Sequence, residues 1–353
     1  MLKCNALTNG LTILPNGKVA PCCLFDNNYA ETFKSGQQRF IEIRSAFDRG
    51  EKHTACSACW TSEADGMTSL RESFYNTKPI TNGINFLDLR NTNICNLACR
   101  MCGPFFSSTI AKAEGREHYI TRAPLDDYVS DIDFDQLNDV YFTGGEPFQN
   151  PDHWRVLELI KNPEKVTLRY NSNLTTLTYK DRHIFDYWRP FRNIFFQVSL
   201  EGYGELNDMI RIGSSWDNIQ KNLEQLLEYS KTHSNFRLAG FVCISMMNVW
   251  ELETLVDYLN SVQIPEINAI YIEHPDTLSL SSMPPDRRHR ARDILQKIIP
   301  KTTGNFRAVL ESSIRRMETE DTAHLFRTGM FRIKRDDAKH GLDLFGRIQK
   351  HLL

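Results

Sequence analysis

Cysteine placement constrains this chain more than any other feature. Eight of its nine cysteines lie within the first 102 of 353 residues, and five of those form two tight clusters, Cys56-Ser57-Ala58-Cys59 and Cys95-Asn96-Leu97-Ala98-Cys99-Arg100-Met101-Cys102. The first residues show no continuous apolar segment of signal-peptide length, so a reducing, cytoplasmic location is expected. Thiols persist there, and clustered thiols read as metal ligands before they read as disulfides.

Three thiolates within eight residues can each hold a different iron of a cubane 4Fe-4S cluster, because soft sulfur ligands suit iron-sulfur chemistry. The fourth iron then stays open for a substrate or cofactor. The alternative is a zinc site that borrows a fourth ligand elsewhere, His118 for instance.

Cys95, Cys99 and Cys102 in this C-x3-C-x2-C spacing resemble the signature of the radical S-adenosylmethionine (radical SAM) superfamily. About forty residues later Gly144-Gly145-Glu146-Pro147 ends a β-rich run, as the GGEP motif of that family does. By its residues alone, this second motif is a backbone that turns sharply and lets a ligand approach without side-chain obstruction. The resemblance implies that it holds the methionyl amino group of S-adenosylmethionine. The plain alternative is a strand-to-helix turn, since Asn150-Pro151-Asp152 resembles a helix start.

From position 84 the chain alternates β-rich runs (84–89, 140–143, 166–170, 194–200, 237–244, 269–273) with helix-like stretches (154–161, 216–231, 249–261). Such alternation implies parallel pairing and an α/β fold. Six units match the partial (β/α)6 TIM-like barrel of the radical SAM family. That resemblance makes Ser199, Glu201, Arg211 and Asn173 further cofactor candidates at strand ends, each with an ordinary capping or loop role as the alternative. Glu201 stands where related sequences commonly carry aspartate. Met101 stands where an aromatic residue often packs near the adenine, and offers a softer contact. Cys243, inside an apolar run, reads as a core residue.

In the amino-terminal part, Asn16-Gly17 supplies the turn of a β-hairpin over 11–21 that brings Cys22 back toward Cys4. A helix over 38–49, with Phe40, Ile43 and Phe47 on one face, then leads to Cys56 and Cys59. Cys4, Cys22, Cys56 and Cys59 are expected to converge, with Cys23 as the alternative to Cys22 because neighbours on a strand point to opposite faces. The PNGKVAPCC stretch and the CxxCWxxExxGxxSxR run from Cys56 to Arg71 resemble the auxiliary-cluster modules called SPASM and twitch. The resemblance implies a second, fully ligated 4Fe-4S cluster; a structural zinc site is the rival.

Three segments follow: 1–82 as the cysteine-rich module, 83–275 as the partial barrel and 276–353 as a mostly helical, basic extension marked off by Pro275, Pro284 and Pro285. Helices are expected over 291–299 and 306–317, followed by a basic and aromatic tail from 326 to 353; solvated faces, a cap over the barrel mouth and a surface for an acidic partner are all open readings. A formal charge of −2 excludes a chain that wraps nucleic acid by bulk charge, and no apolar stretch approaches membrane-spanning length. The expected function is reductive cleavage of S-adenosylmethionine at a 4Fe-4S cluster, with hydrogen abstraction from a peptide or protein substrate. A one-electron donor such as flavodoxin or ferredoxin is the implied partner. The alternatives are a radical SAM enzyme acting on RNA or a nucleotide, and a non-catalytic zinc or iron-sulfur scaffold.

Overall fold

A computed structural model of the chain describes residues 2–77, 81–320 and 322–351. The chain divides into two compact units. The first comprises Met1–Cys95, Pro104–Tyr170 and Leu177–Phe195; the second comprises Asn96–Gly103, Asn171–Thr176 and Phe196–Leu353.

The first unit opens on the expected hairpin. Strand β1 (Gly10–Ile13) runs antiparallel to β2 (Val19–Ala20), and Gly17 sits in the turn at φ +79°, a conformation that glycine adopts without a Cβ penalty. On its other side β1 pairs in parallel with β3 (Phe86–Leu89), so the cysteine-rich segment extends the sheet that follows it. Strands β4 (Asp139–Phe142) and β5 (Thr167–Ser172) continue the parallel pairing, Leu87 against Val140 and Val140 against Leu168.

The two faces of this sheet differ. Leu87, Leu89, Val140, Phe142, Leu168 and Tyr170 point to one side and are fully buried, because parallel strands are covered there by helices. The helix α4 (Pro151–Leu159) starts at Asn150, whose side chain accepts the Asp152 N–H, and places His153 and Trp154 on this apolar side. Phe142 stacks on Tyr170 with centroids 5.1 Å apart. The opposite face carries Thr12, Asp88, Tyr141 and Arg169 in one cross-strand row. Buried Asp88 accepts from Thr12 at 3.3 Å and twice from Arg90, at 3.1 and 2.8 Å. The amino-terminal module packs on this side: Ala6, Phe74 and Phe86 form a small core, with Cys4, Cys22, Leu70 and Tyr141 against it.

The module itself is helical beyond the hairpin. The helix α1 (Phe33–Asp48) starts five residues before the expected position and buries Phe40, Ile43 and Phe47 as its apolar stripe requires. Next come α2 (Ser57–Ala64) and α3 (Leu70–Thr77).

In the second unit the strand order is β6-β7-β8, formed by Asn193–Ser199 from Phe196 onward, Phe236–Ile244 and Glu266–Tyr271. Strands β7 and β8 are parallel, with Gly240 opposite Ile267. The expected strand over 269–273 begins three residues earlier. The polar residues Glu266 and Asn268 obscure that start in the sequence; in the fold Glu266 accepts from Arg237, and Asn268 donates to Gln197 and Glu266. Helices α5 (Trp216–Thr232) and α6 (Leu252–Ser261) bury their 3- and 4-spaced apolar residues.

The extension is helical as expected: α7 (Pro285–Ile298), α8 (Gly304–Thr319), α9 (Phe326–His340) and α10 (Leu344–Lys350). Three of its basic residues are committed within the fold, while Arg290, Arg327, Lys334, Arg335 and Lys339 are exposed. Arg288 donates to the Met317 and Glu320 carbonyls, Arg287 lies over the Phe326 ring and Arg347 pairs with Glu251. Among the described residues, no helix is long and apolar enough to cross a membrane.

Candidate metal and cofactor sites

Cys4, Cys22, Cys56 and Cys59 line one cavity in the first unit, walled by Leu7, Phe25, Phe47 and Phe74 and by Arg71. Cys22 faces this cavity. Cys23, in the turn after β2, lies instead near Arg90 and Asp88; the strand alternation expected to separate the two does not apply, because β2 ends at Ala20. Burial pushes the Cys4 thiol up to about 11 and Cys56 up to about 12, and raises Cys22 and Cys59 as well.

Main-chain donors oppose that effect. The N–H groups of Ala6 and Leu7 serve Cys4, that of Leu24 serves Cys22, and those of Leu70 and Arg71, at the start of α3, serve Cys59. Donors of this kind favour thiolate over thiol, but burial outweighs them at all three sulfurs.

The donor set is all sulfur, which fits an iron-sulfur cluster or zinc. The cavity measures about 20 Å3, roughly one water. Among the described residues no three His, Cys, Asp or Glu side chains close on one point as they would around a bare ion. A single ion would therefore draw the sulfurs inward, and a cubane would part them.

The C-x3-C-x2-C loop begins in the first unit and ends in the second. Within the first, Cys95 is fixed through its backbone: its N–H donates to Ser108 Oγ at 3.2 Å, and its carbonyl accepts from Thr109 at 2.6 Å. Upstream, Asn93 donates to the Pro104 and Tyr119 carbonyls, at 2.9 and 2.6 Å, and accepts from the Thr121 N–H.

The Gly144-Gly145-Glu146-Pro147 turn lies directly on this start of the loop. Glu146 N–H donates to the Ile94 carbonyl at 2.8 Å and Gly145 N–H to Thr92 at 3.3 Å. A Cβ on Gly145 would overlap the Ile94 carbonyl, and Gly144 has φ +98° with Arg90 against it. Both glycines are thus needed for the backbone approach that brings two sequence-distant motifs together. Glu146 is buried and accepts from Phe148 N–H at 3.4 Å, and Pro147 starts the short 3-10 turn that leads to Asn150. The helix-start reading of Asn150-Pro151 therefore holds: Asn150 caps α4 through the Asp152 N–H.

In the second unit, the last part of the loop meets most of the remaining candidates. Ala98–Cys99 pairs antiparallel with Arg211–Ile212, Cys99 opposite Arg211. Arg211 donates to Glu201 at 3.1 Å, and the other Glu201 oxygen accepts the Cys243 N–H at 2.9 Å. Burial raises the Glu201 carboxyl while Arg211 opposes it. Cys243 is a buried residue of β7, as its surroundings in the sequence predict.

Asn173 donates to Asn96 Oδ1 at 3.0 Å and thus sits beside the loop's second residue. Ser199 ends β6, half-buried, and Met101 is half-buried next to Cys102. Burial pushes the Cys102 thiol up to about 12, and the cations of Arg211 and Arg332 oppose it. His118 is exposed, beside Tyr119.

One set of contacts here leaves no trace in the residue order. Arg100, between two cysteines of the loop, is buried with Asp337 of α9 in an ion pair. It also donates to the Ile333 and Met209 carbonyls, at 2.9 and 2.7 Å. Arg332 of the same helix returns a bond to the Arg100 carbonyl at 2.7 Å. More than 230 residues separate Arg100 from its partners on α9, so no local pattern reveals them. One face of α9 is therefore anchored on the cysteine loop rather than solvated.

The radical SAM superfamily model matches residues 91–259 of the chain. No curated protein matches it. Among solved structures, the chain is similar to the crystal structure of Streptococcus suis SuiB bound to S-adenosylmethionine, at 13% identity and TM-score 0.43, covering 76% of this chain and 59% of that one. It is similar to SuiB bound to precursor peptide SuiA at 14% identity and TM-score 0.42, covering 78% of this chain and 54% of that one. It is also similar to native anSMEcpe with bound AdoMet and Cp18Cys peptide, at 14% identity and TM-score 0.43, covering 61% of this chain and 59% of that one. The chain thus spans less than two thirds of the length of these proteins.

Proposed function

We propose that this chain is a radical SAM enzyme with an auxiliary iron-sulfur centre in its amino-terminal module. The observation that carries the reading is the seating of the Gly144–Pro147 turn on the start of the C-x3-C-x2-C loop, through Glu146 N–H to the Ile94 carbonyl. The match of the superfamily model over 91–259 supports it independently. Cys95, Cys99 and Cys102 would hold the cluster, and Cys4, Cys22, Cys56 and Cys59 a second one. When bound, a 4Fe-4S cluster with one open iron supplies the electron that cleaves S-adenosylmethionine to methionine and a 5'-deoxyadenosyl radical, which takes hydrogen from the substrate.

The chain's own residues position and insulate. Gly144 and Gly145 let the turn's backbone rest on the start of the loop, and Glu146 would offer a buried carboxylate for an ammonium group. Arg211 presents a guanidinium suited to a carboxylate, oriented by Glu201. Asn173, Ser199 and Met101 complete the candidate set for the cofactor's sugar and base. The resemblance of the amino-terminal module to SPASM and twitch modules favours a peptide or protein substrate, with flavodoxin or ferredoxin as electron donor in the cytoplasm.

Anaerobic reconstitution tests this. The expected result is about eight irons per chain and reductant-dependent 5'-deoxyadenosine from S-adenosylmethionine. Zinc at both sites, or no 5'-deoxyadenosine, would refute it. Co-expression with candidate peptides or RNAs, followed by mass analysis, then identifies the substrate.

A further inference from the structure

The run Cys56-x2-Cys59-Trp60-x2-Glu63-x2-Gly66-x2-Ser69-x-Arg71 contains two sulfur ligands and five other residues, whose roles the structure explains. Trp60 and Glu63 lie on α2, one turn apart. Gly66, at φ +76°, follows the end of that helix. Ser69 and Glu72 form a reciprocal capping pair at the start of α3, with Ser69 N–H donating to Glu72 and Glu72 N–H to Ser69 Oγ. Ser69 Oγ also donates to Glu63 at 2.6 Å.

These contacts converge on Arg71. Its Nε donates to Glu63 at 2.9 Å, and its Nη1 donates at 2.9 Å to the carbonyl of Lys3, the residue before Cys4. Its guanidinium lies 5.1 Å from the Trp60 ring centroid. The side chain is 12% exposed and forms part of the cavity wall between the sulfurs. Arg71 lines the cavity and Glu63 does not. The cation acts on Cys4, Cys56 and Cys59, whereas the Glu63 carboxylate acts on Cys59, where it outweighs the cation; for the other two sulfurs the positive end of the pair is the one that counts.

We propose that Arg71 is a positioning residue that tunes the four-cysteine centre, its guanidinium locked by Trp60, Glu63 and the Lys3 carbonyl so that a fixed positive charge faces whatever redox group the sulfurs hold. This rests on the reading that those sulfurs hold an iron-sulfur cluster. Reduction adds negative charge to such a cluster, and a cation held in a poorly screened wall stabilises that reduced state. Arg71 therefore raises the reduction potential. The capping and stacking contacts around it explain why the run needs its particular residues at these intervals.

The test uses the full chain with Cys95, Cys99 and Cys102 replaced by alanine, so that only the four-cysteine centre can load. Iron and sulfide content and the midpoint potential, followed by electron paramagnetic resonance, are measured for this parent and for added Arg71→Gln and Arg71→Lys. The expected result is parent iron content in all three, a more negative midpoint for Arg71→Gln and a midpoint for Arg71→Lys close to the parent's. Loss of iron in Arg71→Gln with full loading in Arg71→Lys would also support the proposal, since charge then decides assembly. An unchanged midpoint in Arg71→Gln, equal shifts in both variants, or loss of iron in both would overturn it. A parent that takes up zinc and no iron would instead sink the cluster reading itself.

Discussion

The four-cysteine cavity and the C-x3-C-x2-C loop solve the same problem, holding charged sulfur inside a protein, in different ways. The cavity is closed by its own module. Its sulfurs receive N–H donors from residues close in sequence, Ala6 and Leu7 for Cys4 and Leu24 for Cys22, and from the start of α3 for Cys59. The loop is braced by its neighbours Asn93 and Ser108 at its start and by the distant Arg211, Arg332 and Asp337 beyond it. On the proposed reading, the site that supplies all its own ligands is built locally, and the one that leaves a position open for a cofactor draws on distant parts of the chain.

The sharpest way to break this comparison is to remove one sulfur from each site. Cys99→Ala is expected to reduce 5'-deoxyadenosine formation to background while leaving about four of about eight irons. Cys59→Ala is expected to retain S-adenosylmethionine cleavage and lose the other four. Equal loss of cleavage in both would mean that the two sites do not divide the work as proposed.

The distant bracing has its own test. Asp337→Ala leaves the buried Arg100 guanidinium without its counter-charge, and such losses cost about 3–5 kcal/mol. Urea denaturation should register that cost. A change below about 1 kcal/mol would show that α9 does not support the loop.

Gly145→Ala places a methyl group where the Ile94 carbonyl sits. The expected destabilisation is about 1–3 kcal/mol, with weaker S-adenosylmethionine binding measured by equilibrium dialysis. Wild-type affinity in a folded variant would separate the turn from the cofactor.

The smallest effect concerns the apolar side of the first unit, behind the turn. Burial lowers His153 to about 3, so the folded state holds it neutral while the unfolded chain binds a proton near pH 6.5. Its contribution is fully present above pH 6.5 and is lost as pH falls toward 3, at about 1.4 kcal/mol per pH unit. Stability measured between pH 7 and 5 should fall less steeply in His153→Phe. An unchanged slope would place the acid sensitivity elsewhere.

Much of this was legible from residue order. The Asn16-Gly17 hairpin, the stripe of Phe40, Ile43 and Phe47, and the β/α alternation each depend on short-range pattern, and each appears within a few residues of its expected place. The convergence of Cys4 and Cys22 followed from the hairpin. The choice of Cys22 over Cys23 did not, because both lie in the turn after β2 and only packing decides which sulfur meets Ala6, Phe74 and Phe86. Strand β8 was displaced because Glu266 and Asn268 break the apolar run that marks a strand.

Sequence alone determined the ligand types, their two groupings and the glycines that let one backbone rest on another, because these depend on spacing and on the presence or absence of a side chain. Only the tertiary structure decided that Arg100 is matched by Asp337, that Arg211 lies opposite Cys99 and that Arg71 forms part of the sulfur cavity's wall. The pairing of buried charges depends on which surfaces meet after the chain has folded, and residues hundreds of positions apart leave no local trace of that meeting.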